Sequence, residues 1–427
     1  MARQRQLRCF IGPDLVGTFT EGAGDKVTFA YDDAWLSAEG AHPLSLSLPL
    51  FAREHHGRYV RNFLANLLPD NDATLRRWGR DYRVSPLNPL ALLEHVGREC
   101  AGALVLTPDA SPPVGGGVRW LKDAELWARL AAEREAGGAH SAGDESGAFS
   151  LAGAQPKLAL RYDPKRKRFG EAQGREATTH ILKPATGMLE AHAQNEACCM
   201  RIAAHLMLPV PKVWVIGVDH DVPTIVVERY DRYREASGVL RLHQEDLCQA
   251  LGIGPENKYQ SDGGPSAVAI INLLRDHSDA PEEDVATFIR SLALNWVLHG
   301  TDGHAKNYAV LHHEGPQLRL APLYDVASLW PYDGLPLQKR TLALSIGGEN
   351  KVTRINRSHW ERFFRSAHVP IPHHLDLVRE FVARVPQAAA AATDELRAQG
   401  ITHPVIEMIA TKATAEAKRI ADMLQHR

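Results

Sequence analysis

An aspartate and an asparagine share the segment Thr301-Asp302-Gly303-His304-Ala305-Lys306-Asn307, and a second aspartate follows in Leu323-Tyr324-Asp325. A carboxylate beside an acceptor hydroxyl orients it and takes its proton, while an amide oxygen and a second carboxylate are hard donors for Mg²⁺ on a triphosphate. Asp302 is therefore the candidate base, and Asn307 and Asp325 are the candidate metal ligands, of a phosphoryl transfer from ATP. Asp-Gly and Asn are also turn residues, so the loop alone leaves a plain turn open. The surrounding elements decide the reading.

Upstream, Val285 to His299 places Val285, Phe288, Ile289, Leu292 and Trp296 on one helical face. Downstream, Tyr308 to Leu311, a Glu314-Gly315-Pro316 turn and Leu318 to Leu320 read as a hairpin ahead of Asp325. A lysine that grips nucleotide phosphates belongs on an earlier strand, paired with a helical acid. Thr179 to Pro184 reads as that strand with Lys183 at its exit, and Glu196, on a helix from Asn195 to Leu206, is placed to pair with it. Thr224 to Asp231 is a buried-strand run with a polar end, where backbone groups of Glu228, Arg229 and Tyr230 are expected to bind adenine. No G-x-G-x-x-G precedes Lys183; Phe149 to Leu160 instead offers small residues entering a strand, whose N–H groups can cradle phosphates.

In this order the segments resemble those of HipA-type serine/threonine kinases, the toxin partners of HipA/HipB toxin-antitoxin pairs. Ser150 to Lys157 resembles the family's phosphate loop, Thr178 to Pro184 its nucleotide-lysine strand, Val227 to Arg232 its hinge and Thr301 to Asn307 its catalytic loop. Pro43 to Leu50, Arg241 to Gln249 and Lys258 to Pro265 resemble further blocks whose residues suggest no role by themselves. The resemblance implies a proton acceptor at Asp302 and Mg²⁺ at Asn307 and Asp325. It implies nucleotide contacts at Ala152, Gly153, Ala154, Gln155, Lys157, Lys183, Glu228, Arg229, Tyr230, Gln244, His304, Lys306, Asn307, Tyr324 and Asp325, with autophosphorylation at Ser150. It also implies a protein substrate, most familiarly the glutamyl aminoacyl-tRNA synthetase, and a HipB-type helix-turn-helix antitoxin dimer through which DNA is reached. Pro156 departs from the family, whose best-known members carry glutamate there; proline removes an N–H and fixes φ, which bears on nucleotide affinity and loop movement.

Composition bounds the rest. A chain of 427 residues, 44% hydrophobic, exceeds one compact core. Five cysteines without a C-x-x-C give neither a zinc site nor a disulfide framework and fit a reducing cytoplasm. The start lacks a signal-peptide core and no apolar run of about 18 residues occurs, so neither export nor a membrane span is expected. A net charge of −2 supplies no global basic field for nucleic acid. The pairs His55-His56, His312-His313 and His373-His374 read as solvated surface rather than metal ligands.

Leu7 to Ile11, Val16 to Thr20 and Val27 to Tyr31 are short strands of a small antiparallel unit, followed by helices at Arg61 to Leu68 and Pro89 to Val96. Leu44 to Leu48 alternates with period two, and Pro112 to Gly117 reads as a linker. The glycine-rich stretch 137–147 is expected to be mobile. Beyond Leu242 the periodicity is mainly helical. The expectation is an α+β, protein kinase-like two-lobed fold: an amino-terminal subdomain (1–111), a nucleotide-binding core (118–231) and a helical catalytic lobe (232–427), with ATP between the lobes. Two alternatives stay open, a small-molecule phosphotransferase of the aminoglycoside-kinase kind and a corepressor acting through a DNA-bound partner.

Overall fold

The computed structural model describes residues 4–22, 26–135, 155–186, 189–235, 238–313, 317–334 and 336–425. Ser150, Ala152, Gly153 and Ala154 of the expected phosphate loop, the stretch 137–147 and the turn at 314–316 lie outside them. The chain divides into two compact units, each built from three separated segments: 1–186, 226–256 and 310–318 in the first, and 187–225, 257–309 and 319–427 in the second. Residues 187–225, placed by sequence in the nucleotide-binding core, thus cluster with the helical unit, and 232–256 cluster with the strand-rich one.

In the first unit an antiparallel sheet runs in the spatial order Glu54–His56, Val27–Tyr31, Asp14–Glu21, Gln6–Ile11, Leu104–Thr107. Alternation along the three strands expected from sequence buries Leu7, Cys9, Val16, Phe19, Phe29 and Tyr31 in one core with Phe63 and Leu64 of helix Arg58–Leu67. Helix Pro89–Val96 starts where its sequence signals, with proline in the first turn and the Asn88 side chain accepting from the Ala91 N–H. The period-two segment Leu44 to Leu48 is no strand: a single bridge joins Ser45 to Leu48 around a tight turn, and Leu44 and Leu48 are buried on its inner side. Tyr31 holds this turn, its hydroxyl donating to the Leu48 carbonyl and accepting from the Leu44 N–H at 2.8 Å.

The turn carries His42 into a stack with His243 and His312, ring centroids 5.0 to 5.4 Å apart. Glu245 sits beneath it, bonded to His312 Nε2 at 2.9 Å, to the Ser45 hydroxyl at 2.5 Å and to the Leu46 N–H at 3.0 Å. This corrects the surface expectation for the paired histidines: His312 is buried here, and His374 is buried against Phe364. Among the described residues no group of three or more His, Cys, Asp and Glu is arranged to hold a metal.

A second sheet places Thr224–Glu228, His180–Pro184, Leu158–Asp163, Arg168–Gly174 and Gly116–Trp120 side by side. The expected linker therefore ends early: Gly116 and Gly117 pair with Gly174 and Gln173, and a side chain on Gly116 would run into the Gln173 carbonyl.

The second unit is mainly helical. Helix Pro281–Leu298 opens with proline and with Glu282, Glu283 and Asp284 in its first turn, which suits the positive end of the helix dipole. Asp284 also fixes the segment ahead of Tyr324, accepting from Arg319 at 3.0 Å and from the Leu320 N–H at 2.8 Å. Trp296 packs against Trp360 in the core and donates to the Val352 carbonyl at 3.0 Å. In helix Val385–Ala398, Ala388, Ala389 and Ala392 are buried, and their small side chains let it pack on helix His192–His205. Among the described residues no helix is long and apolar enough to cross a membrane.

Candidate active site

Helix Pro281–Leu298 stops one turn before the candidate base. His299 takes a left-handed conformation at φ 51° and its N–H returns to the end of the helix, while the Gly300 N–H bonds the Asn295 carbonyl at 2.8 Å. The Asn295 side chain fills the space beside the loop: a β-carbon on Gly300 would lie 2.5 Å from its oxygen, and one on Gly303 would lie 2.6 Å from its nitrogen. A side chain at either position would displace the Asn295 amide from its place beside the loop. Asn295 donates onward to the Tyr308 hydroxyl at 3.1 Å, clamping the loop from both ends.

Within the loop the His304 N–H bonds the Asp302 carbonyl at 2.8 Å, and a short 3₁₀ turn spans Ala305–Asn307. The Asn307 side-chain amide donates to the same Asp302 carbonyl at 2.7 Å. That bond commits its nitrogen and fixes the direction of its oxygen. Asp302 projects outward with its side chain 71% exposed, and its Oδ1 accepts from the Tyr259 hydroxyl at 2.5 Å. His304 Nε2 lies 3.8 Å from the same oxygen, and the His304 ring stands edge-on to Tyr259.

The second aspartate is tied to this loop. The Tyr324 hydroxyl donates to the Lys306 carbonyl at 2.7 Å. Asp325 itself has φ 61°, the left-handed region that favours glycine. Beyond it, buried Asn195 takes both backbone groups of Ser328, donating to the carbonyl at 2.7 Å and accepting from the N–H at 2.8 Å, and the Ser328 hydroxyl reaches the Leu298 carbonyl at 2.6 Å. Helix, loop and Asp325 segment are joined by side chains of which Asn195, Asn295, Asn307 and Ser328 are buried and Tyr324 is partly so.

The family models described as HipA-like C-terminal domain and HipA N-terminal domain match residues 149–391 and 7–107 of this chain. The chain belongs to the HipA family. It is accordingly a protein kinase, with the α+β kinase-like fold expected from its sequence. This HipA-family chain is 36% identical to the putative kinase Y4mE of Sinorhizobium fredii over 398 residues, 88% of each chain. It is 27% identical to the serine/threonine-protein kinase toxin HipA of Shewanella oneidensis, across 96% of this chain and 95% of that one. The solved HipA chain of S. oneidensis MR-1, in a complex with HipB and operator DNA, shares the fold at a TM-score of 0.84, 24% identity and 98% coverage of both chains.

The remaining residues expected to act in this HipA-family site are placed as follows. Asp302, His304, Lys306, Asn307, Tyr324 and Asp325 lie together in the second unit. Lys183 ends strand His180–Pro184 in the first unit and is buried; Glu196, also buried, lies on helix His192–His205 of the second. Gln155 and Lys157 precede strand Leu158–Asp163, and Gln244 lies in strand His243–Asp246 with its backbone against Gly102.

Through its side chain, Arg229 has an occupation beyond the backbone contact expected of it. Its N–H bonds the Thr179 carbonyl at 2.9 Å, and its buried guanidinium binds Asp231 at 2.7 Å and Glu99 at 3.0 Å. Arg232 and Arg241 converge on the same Glu99. Burial pushes the Glu99 carboxyl up, but Arg241, Arg232 and Arg229 outweigh it and hold it at about 2. The Arg229 side chain thus joins Glu99 to the hinge through ion pairs, a role separate from the backbone contact expected of Glu228, Arg229 and Tyr230.

Sequence reasoning missed Tyr259, Asn295, Asn195 and Ser328. Tyr259 did fall in a block that resembled the family, the one signal that marked it; the other three act through contacts with backbone far away or around a turn, which spacing does not reveal.

Proposed function

We propose that this HipA-family kinase is the toxin of a toxin-antitoxin pair and transfers the γ-phosphoryl group of ATP to a serine or threonine of a protein. The carrying observation is the double tie of Asn307 to the Asp302 carbonyl and of Tyr324 to the Lys306 carbonyl, which supports one framework for the base and both metal ligands. Asp302 accepts the proton of the acceptor hydroxyl as its oxygen bonds to the γ-phosphorus; the bond to the bridging oxygen breaks and ADP leaves. Asn307 and Asp325 supply an amide and a carboxylate oxygen, a hard donor pair that suits Mg²⁺ whose other ligands are phosphate oxygens and water. When bound, that ion neutralises charge developing on the transferred group. Lys183 serves the phosphates and backbone at Glu228 and Tyr230 the adenine.

The proposed target class is an aminoacyl-tRNA synthetase, the glutamyl enzyme first, whose modification in the cytoplasm would halt translation and growth. The proposed partner is a HipB-type helix-turn-helix dimer; a net charge of −2 supports contact with DNA through that partner rather than by this chain alone. Ser150 is the proposed autophosphorylation site.

Incubation of purified protein with radiolabelled ATP, Mg²⁺ and individual synthetases tests the reading. Label is expected on a synthetase, and Asp302→Asn should lower turnover by at least about 10²-fold with its circular dichroism unchanged. Near-wild-type turnover in Asp302→Asn would remove the base assignment, and unlabelled synthetases beside an autophosphorylated kinase would remove the target class.

A further inference from the structure

A carboxylate that must meet an incoming hydroxyl has to be both reachable and aimed. Asp302 is reachable, with its side chain mostly exposed, and an exposed aspartate left to itself samples several rotamers. The two polar side chains beside it, Tyr259 at 2.5 Å and His304 at 3.8 Å, both address Oδ1. Oδ2 is thereby left to receive a proton.

Tyr259 is itself held in place by the loop it serves. The Lys258 carbonyl accepts from the Ala305 N–H at 3.3 Å, inside the catalytic loop, and the Tyr259 ring meets the His304 ring edge-on at 4.9 Å. On the following side, Gln260 pairs twice with Ser345, donating to its hydroxyl and accepting from its N–H, both at 2.8 Å. The Gly264 N–H closes back on the Tyr259 carbonyl at 3.0 Å, and a side chain on Gly264 would strike the Asn257 carbonyl. The segment 257–264 is therefore a closed turn braced on two elements of the same unit.

We propose that Tyr259 is a positioning residue for phosphoryl transfer: its phenol pins Oδ1 of Asp302 and so presents Oδ2 to the acceptor hydroxyl. The proposal rests on the reading of Asp302 as the base. One consequence separates it from a merely structural role. A residue that acts through Asp302 has nothing to add once Asp302 is gone.

Tyr259→Phe keeps the ring contact with His304 and removes only the hydroxyl. Its kcat should fall about tenfold, in keeping with a hydrogen bond to a charged group, with KM for ATP and the melting midpoint unchanged. In an Asp302→Asn background the same substitution should lower turnover no further. Wild-type kcat in Tyr259→Phe, with Asp302→Asn inactive, would overturn the positioning role alone, as would an equal loss in both backgrounds. Full activity in Asp302→Asn would defeat the base reading and this proposal with it.

Discussion

Asp325 pairs a backbone conformation that disfavours a side chain with a proposed role that demands one. A left-handed φ of 61° costs an L-residue on the order of 1 kcal/mol, less for aspartate than for most. Such outliers persist where neighbours over-determine them, and the Tyr324–Lys306 and Asn195–Ser328 bonds flank this one. Asp325→Gly and Asp325→Ala should be equally inactive, each at least about 10²-fold down in phosphoryl transfer. The glycine variant should nevertheless be the more stable by about 1 kcal/mol, because only glycine relieves the left-handed cost. Urea unfolding of the two variants checks this, and equal midpoints would mean that no such cost is stored. The candidacy of Asp325 as a metal ligand came from residue type and spacing, whereas its conformation was not legible there. The Tyr259 contact was equally hidden, since nothing in a sequence states that a phenol returns to a carboxylate 43 positions later.

At the level of elements, strands with clean alternation such as Val27–Tyr31 and helices with proline and asparagine start signals such as Pro89–Val96 were read to the residue. The alternation of Leu44 to Leu48 belongs to a tight turn with two inward leucines, so period two alone does not define a strand. Helix His192–His205 shows what periodicity leaves out: it buries Asn195 and Glu196 as thoroughly as its alanines. Asn195 is a tie between this helix and the segment following Asp325, and its removal would leave a buried N–H and a buried carbonyl of Ser328 without their partner. Asn195→Ala should therefore destabilise the protein by about 2 to 6 kcal/mol, at about 1–3 kcal/mol for each stranded group. It should also raise the Mg²⁺ concentration needed for half-maximal turnover, because the proposed metal carboxylate loses its support. A chemical denaturation curve and a Mg²⁺ titration give both numbers; an unchanged Mg²⁺ requirement would detach this helix from the metal site.

For the molecule as a whole, the stacked histidines set a pH dependence. Burial lowers His42 to about 4, with His312 adding to the effect and the Pro43 carbonyl and Glu245 opposing it. Burial, with His312 and His42, also drives His243 well below its ordinary value of 6.5. The folded protein keeps these rings neutral while the unfolded chain takes up protons, so their contribution is complete above about pH 6.5 and is lost as pH falls from there toward 4. His180, lowered to about 3 chiefly by burial, acts in the same direction. Between pH 7.5 and 5 the unfolding free energy should drop by on the order of 2 kcal/mol per buried ring. Glu99 and Glu416, both held at about 2, contribute only below this interval. A flat stability curve over the interval would contradict the burial of His42 and His243 as neutral rings. The stack was illegible in sequence because His42, His243 and His312 come from three distant stretches, and their adjacency is a product of the fold. That same interleaving has a consequence for how the protein is made. The core of the amino-terminal sheet is contiguous, from Leu7 to Leu106, and is complete early in synthesis. Its locks at Glu245 and His312 arrive much later, and Asp325 leaves the ribosome after both. A nascent or truncated chain can thus acquire its first folded part long before it has the residues proposed for phosphoryl transfer.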